Sequence, residues 1–290
     1  MGIRDLFRKN KKADVVQVST ANAEEAKKKG RERRYSLLVE DVFENSRMQG
    51  VMVLGTVHGK VRVGDTLYLY QPKRPVKEVQ VSAIELGPRE EVEMIKNQRA
   101  ALCVNLDSVE EVSRFAVLSS VKPLSLELAK RIVENPRLFG LMMEYSNMYT
   151  NSAYMDALLY ELCEARLVLP LYMGQPPLPQ PDGTFAFPKD AQVGFRSLRN
   201  PADETQTVFP AFTDEIALLA WKDAFHEGQP RQVAVMQLPH LMEHVDKGHA
   251  GLVVNPFGPV SVYFPKELLN AVRESEVFRA KFVKKESEEK

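Results

Sequence analysis

From residue 35 to 122, apolar and polar positions alternate with a period of two. Val51, Val53, Val57, Val61, Val63, Leu67 and Leu69 fall in short runs of β-branched or aliphatic residues. Such runs mark strands with one buried face. Gly50, Gly55, Gly59 and Gly64 punctuate them. The pair His58-Gly59 predicts a tight hairpin turn, and Gly64-Asp65 predicts a second turn. Further strands are expected over 76–86, 99–106 and 117–121. Several short strands at this spacing predict a small antiparallel barrel.

At 125 the period becomes helical. Leu126, Ala129, Ile132 and Val133 share a face, Pro136 interrupts it, and Leu138, Leu141, Met142 and Tyr145 continue it. A helix over 152–165 carries Met155, Leu158, Leu159 and Leu162 inward. A buried strand over 166–172 follows, then a surface loop with Pro176, Pro177, Pro179 and Pro181. Thr213 stands where it caps a helix, with Asp214 and Glu215 in the first turn. Strands over 184–187, 207–209, 233–236, 252–254 and 260–264 alternate with helices over 239–247 and 265–273. This predicts an α/β or α+β unit with a mixed sheet. The expected order is a basic, disordered tail (1–34), an antiparallel barrel (35–122), a helical connector (123–150), the α/β unit (151–273) and a charged C-terminal tail (274–290).

Charge changes the picture in one place. Lys+Arg and Asp+Glu both number 39, so the chain as a whole shows no basic excess. Residues 1–34, however, hold eleven Lys/Arg against five Asp/Glu. Lys27, Lys28, Lys29, Arg31, Arg33 and Arg34 form the densest run. Such a run is the sequence's candidate for phosphate-backbone contact. Apolar runs are far shorter than the roughly 20 residues of a membrane helix. The N-terminus carries Arg4 and Asp5 where a signal peptide needs an apolar core. The expected compartment is the cytoplasm. Cys103 and Cys163 are far apart in apolar surroundings, so they are expected as buried thiols.

The candidate chemistry is sparse. His240-Leu-Met-Glu243-His244 matches H-x-x-E-H, in which two histidines on one helical face hold zinc beside a carboxylate base. His240 and His244 are therefore the metal candidates, although a third protein ligand is not evident. The bland reading is ordinary surface histidines, and no metal or other cofactor is expected. No G-x-x-x-x-G-K-[ST] loop occurs, so no nucleotide binding is expected. Paired carboxylates such as Glu90-Glu91 lie in polar loops, with nothing apolar to raise a pKa. Phe209, Phe212, Asn255 and Phe257 are the candidates for a partner-binding surface, because Phe-Pro and Asn-Pro fix the loops that carry them; the favoured bland reading is that these prolines and aromatics shape and fill a tight turn above the core.

Two stretches resemble known families. Gly50-Val-Met-Val-Leu-Gly55-Thr-Val-His-Gly59-Lys-Val-Arg-Val-Gly64-Asp65 resembles domain II of the translational GTPases, the barrel of elongation factor Tu. Thr56 and Gln98-Arg99 depart from that pattern. The resemblance implies a barrel used for binding, to RNA, ribosome or an aminoacyl end, without the GTPase engine. Three ordered motifs resemble the enhanced-serine-sensitivity (SseB) family over about 145–273: Glu164-Ala-Arg-Leu-Val-Leu-Pro170, Phe209-Pro-Ala-Phe-Thr-Asp-Glu215 with Trp221, and Gly251-Leu-Val-Val-Asn-Pro-Phe257. That resemblance implies a fold and no reaction. Together they imply a non-catalytic adaptor, contacting RNA or the ribosome through barrel and tail, and an unidentified protein through the second unit. The alternatives are a purely protein-protein scaffold and, more remotely, a zinc hydrolase using His240, Glu243 and His244.

Overall fold

The alternation over 35–122 becomes a closed barrel in the computed structural model, which describes residues 14–17, 35–44, 50–87, 90–173, 178–179, 185–186, 193–225, 232–258 and 260–283. Described residues within Ala26–Ala129 and Asn135–Glu161 form one compact unit. Those within Met1–Glu25, Lys130–Glu134 and Leu162–Lys290 form another. Strand β1 (Asp14–Gln17) belongs to the second of these.

The first unit is built from β2 (Ser36–Leu38), β3 (Asp41–Glu44), β4 (Val51–Arg62), β5 (Thr66–Tyr70), β6 (Lys77–Gly87), β7 (Glu90–Glu91), β8 (Met94–Val104) and β9 (Val117–Ser119). Six strands run in the order β2-β9-β5-β6-β8-β4, all antiparallel. Strand β4 closes the ring on β2 through Ser36↔His58 and Leu37↔Val57. Strand β3 pairs outside it on β4, and β7 on β6. The inward set is the alternating one read from sequence: Val53, Val57 and Val61 meet Leu67, Leu69, Val79, Ile84, Leu102 and Leu118. Closure leaves the six strands no unpaired edge.

One predicted turn is not a turn. Strand β4 runs unbroken through His58-Gly59, and its register on β8 shifts between Val57 and Lys60. Gly59 spends its positive φ, 104°, on this bulge, and its N–H donates to Asn97 Oδ1 at 2.7 Å. A bulge and a hairpin ask for the same residue. Gly64-Asp65 does turn the chain: Gly64 has φ 88°, and Asp65 N–H donates to Arg62 O at 3.1 Å.

Four helices follow: α1 (Leu126–Ala129), α2 (Pro136–Met143), α3 (Tyr145–Met148) and α4 (Ser152–Glu164). Helix α2 lies close on β9, because Gly140 has no side chain. A Cβ there would stand 2.5 Å from Val117 Cγ1. Buried Arg137 of α2 pairs with Glu161 of α4. Tyr154 Oη donates to Leu141 O at 2.6 Å, and its ring meets Phe115 edge-on. Glu144 is buried and accepts from His58 and from Asn147 Nδ2. Burial pushes its carboxyl up, but the two hydrogen bonds and the His58 charge together hold it below the ordinary carboxylate value.

The second unit comprises β10 (Leu167–Met173), β11 (Leu178–Pro179), β12 (Phe185–Ala186), β13 (Val193–Phe195), β14 (Leu198–Asn200), β15 (Asp203–Ala211), α5 (Glu215–Leu219), β16 (Gln232–Met236), α6 (Leu238–Asp246), β17 (Gly251–Val254), β18 (Val262–Pro265), α7 (Lys266–Glu274) and α8 (Glu276–Phe282). One sheet has the order β1-β16-β10-β13. Another, β14-β15-β17-β18, is mixed: β15 and β17 are parallel, and the rest antiparallel. Mutual backbone hydrogen bonds between Val168 and Phe212, 2.8 and 2.9 Å, join the two sheets. Val168, Phe212, Leu218, Trp221, Val233 and Val235 form the core there, with Val133.

Two terminal expectations are corrected. Asp14–Gln17, inside the stretch read as disordered tail, pair antiparallel with Val235–Gln232. The apolar pair Val15-Val16 is too short for periodicity to register, yet long enough to extend a sheet. The charged stretch from 274 begins with α8, capped by Ser275 Oγ and anchored by buried Phe278. Cys103 and Cys163 are free and buried, and burial pushes the Cys163 thiol up to about 11. Among the described residues, no helix is long and apolar enough to cross a membrane.

Candidate functional site

Strands β15 and β17 run side by side, with Phe209↔Leu252, Pro210↔Val253 and Ala211↔Val254 in register. The Phe-Thr-Asp-Glu and Asn-Pro-Phe motifs therefore emerge together at the carboxyl ends of parallel strands, where α/β sheets place their binding crevices. Asn255 ties the two motifs together. It is fully buried, with φ 56°. Its N–H donates to Ala211 O at 2.9 Å, its Oδ1 accepts from Thr213 N–H at 2.9 Å, and its Nδ2 donates to Thr213 Oγ1 at 3.0 Å. Thr213 Oγ1 donates onward to Asp214 Oδ2 at 3.0 Å. Asp214 Oδ1 accepts from Ala217 N–H at 2.9 Å, so Asp214, and not Thr213, caps α5. Thr213 is already committed to Asn255. Burial, then the neighbouring Asp214 charge, raises the Glu215 carboxyl above its ordinary value.

This geometry corrects three of the four surface candidates. Phe209, Phe212 and Asn255 are interior. Their loops are fixed, as the prolines imply, but fixed around a filled core. Phe257 alone reaches solvent, at 43% exposure. It stacks on Trp221 (centroids 5.1 Å apart, 25° between planes), which stacks on Phe212 (6.1 Å, 28°). Nothing nucleophilic stands on this column. It is a supported aromatic tip, suited to contact.

The H-x-x-E-H stretch falls on α6, but its histidines do not converge on a metal. His244 is buried with its ring parallel to Phe209 (5.1 Å, 6°) and edge-on to Phe195 (4.8 Å, 70°). His240 Nδ1 lies 3.8 Å from Glu243 Oε1, beyond hydrogen-bond reach, and is buried without a hydrogen-bond partner. Among the described residues, no three His, Cys, Asp or Glu side chains gather to hold a metal ion. Burial, then the charges of Lys247, His249 and His240, lowers His244 to about 4. Between that value and about 6.5 the unfolded chain binds a proton the native protein refuses, so stability must fall as the solution is acidified. Going from pH 8 to pH 5 should cost about 2 kcal/mol through this group. Urea unfolding followed by Trp221 fluorescence will show that loss, and His244→Phe will remove it.

Residues 140–271 match the family described as SseB protein N-terminal domain. The match runs from Gly140, within α2, into α7, and takes in the parallel-strand motifs and the histidine stretch. No curated protein matches the chain. Among solved structures, the apo form of translation elongation factor SelB from Methanococcus maripaludis is similar at 12% identity, with a TM-score of 0.29. The alignment covers 81% of this chain and 37% of that one. Within the SseB-like segment, the side-chain pairing that sequence reasoning passed over involves Ser197. It hydrogen-bonds His249, and neither lies in a recognisable motif.

Outside the SseB-like segment, the barrel carries a group of exposed cations. Beyond the β4 bulge, Lys60 stands directly opposite Lys96, and Arg62 opposite Met94. Val61 and Ile95, between them, face the core. Lys60, Arg62, Met94 and Lys96 are all exposed. Among the described residues, no carboxylate pairs with any of these three cations, although Arg62 N–H donates to Asp65 Oδ2. By contrast, Arg99 further along β8 is held by Glu40. Like charges facing one another across a ladder repel. Lys27, Lys28, Lys29, Arg31, Arg33 and Arg34 lie outside the described residues.

Proposed function

We propose that this protein is a binding adaptor whose barrel engages RNA, free or within the ribosome, while its SseB-like segment contacts a second protein through the Phe257 tip. The observation that carries the reading is the Lys60/Lys96 rung with Arg62 beside it. Two like charges held in register by a rigid ladder repel when alone and are relieved by a phosphate lying across them. The basic run 27–34 adds charge of the same sign. The sequence offers no phosphate-cradling loop, which favours contact with a polyanion's backbone over a nucleotide pocket.

Sedimentation of native lysate tests this. The protein should travel with ribosomal particles at low salt and return to the top of the gradient after nuclease treatment. Lys60→Glu with Lys96→Glu should weaken association and reduce the dependence of log affinity on log salt by about one to two units. A protein that stays at the top in every condition, or binds regardless of both substitutions and nuclease, defeats the reading.

A further inference from the structure

The histidine-rich end of α6 holds a second arrangement, independent of the RNA reading and built from other residues. His249 follows α6 by three residues. Its Nδ1 lies 2.9 Å from His244 O, a carbonyl of the helix's last turn. A carbonyl only accepts, so Nδ1 carries the proton and Nε2 is left with a lone pair. That Nε2 lies 2.7 Å from Ser197 Oγ, whose hydroxyl must therefore donate to it. The order is serine hydroxyl, imidazole, orienting oxygen, which is the arrangement that activates a serine.

The backbone explains the meeting. Ser197 immediately precedes Leu198, which pairs with Val208 of β15. Ala250, which follows His249, donates its N–H to Thr207 O on the same strand at 2.8 Å. Both residues are thus pinned beside one stretch of β15. The His249 ring rests edge-on against buried Phe209 (5.3 Å, 63°), which limits its rotation. Ser197 itself is exposed. Neither the proposed RNA contact nor the aromatic column uses any of this.

We propose that Ser197 is a nucleophilic serine, activated by His249, that accepts an acyl group from an activated ester. Ser197 Oγ attacks the ester carbonyl as its proton passes to His249 Nε2. The tetrahedral adduct collapses with loss of the alkoxide or phenoxide, which takes that proton from His249. The product is an acyl ester on Ser197 and a free alcohol or phenol. His244 O is an orienting group here, and only Ser197 and His249 touch the reacting atoms.

The test uses the full chain with p-nitrophenyl acetate. Wild type should release about one p-nitrophenolate per chain in a burst, with the acetyl group mapped to Ser197 by peptide mass spectrometry. Ser197→Ala should abolish the burst, and Ser197→Cys should restore acylation at that position. His249→Gln keeps hydrogen-bonding capacity but cannot take the proton, so it should slow acylation at least about a hundredfold. Thermal melts matching wild type establish that each variant is folded. Acetyl groups spread over several serines and lysines at comparable rates would overturn the proposal. An unchanged rate in His249→Gln would do the same.

Discussion

Replacing Glu161 by alanine is expected to destabilise the barrel unit by about 3 to 5 kcal/mol. Its partner Arg137 is 4% exposed. The guanidinium also reaches Phe115 O from Nη2, at a long 3.5 Å, and Nε is buried without a partner. Without Glu161, a full positive charge stays out of water with one long hydrogen bond to compensate. The conformation offers little relief, because α2 is held against β9 at Gly140, where even a methyl group would collide. The pair is nevertheless replaceable. Arg137→Met with Glu161→Leu should cost far less than Glu161→Ala, because an apolar pair leaves nothing unsolvated. Amide exchange over residues 136–161 reads this directly, since the single tryptophan, Trp221, lies in the other unit. If the double substitution costs as much as the single one, the pair is a net stabiliser and this account of it is wrong.

Asn255→Ala should destabilise the second unit by about 3 kcal/mol, from two separable sources. Removing the amide strips Thr213 N–H of its acceptor and Thr213 Oγ1 of a donor, both in a fully buried site. That loss accounts for about 2 kcal/mol. The remaining part, about 1 kcal/mol, is conformational. Residue 255 has φ 56°, which asparagine tolerates and alanine resists. Asn255→Gly restores the backbone freedom but not the amide, so it should fall between wild type and alanine. Urea unfolding monitored by Trp221 emission suits this case, because Trp221 stacks on Phe212, one residue before Thr213. Alanine and glycine variants of equal stability would remove the backbone part of the argument. A neutral alanine would remove the clamp altogether.

Periodicity made the barrel legible because each strand buries one face, and Val53, Val57 and Val61 have no other reason to alternate. It could not separate the Gly59 bulge from a hairpin, since a positive φ is common to both. The second unit was legible as alternating strands and helices. Which aromatics face solvent was not, because Phe-Pro and Asn-Pro report a fixed loop and not its direction. Phe212 and Phe257 look alike in sequence, yet one is wholly interior and the other exposed. The H-x-x-E-H spacing was real, but a helix sets only which side chains share a face. Phe209 and Phe195 arrive from other strands and claim His244 for packing. Ser197 and His249 are 52 residues apart and meet only through β15, so no local signal announces them. Strand β1 was hidden for the same reason: its partner is at the other end of the chain.

That last pairing sets an order of events during synthesis. Every strand of the barrel lies between Ser36 and Ser119, so the ring can close while the ribosome is still translating the middle of the message. Strand β1 is made before any of them, yet it cannot dock until β16 appears, roughly two hundred residues later. Folding therefore begins inside the chain, with the amino-terminal segment waiting for the carboxyl-terminal third. A nascent chain arrested after residue 150 should already resist protease over 36–119 and remain cleavable at Val15-Val16.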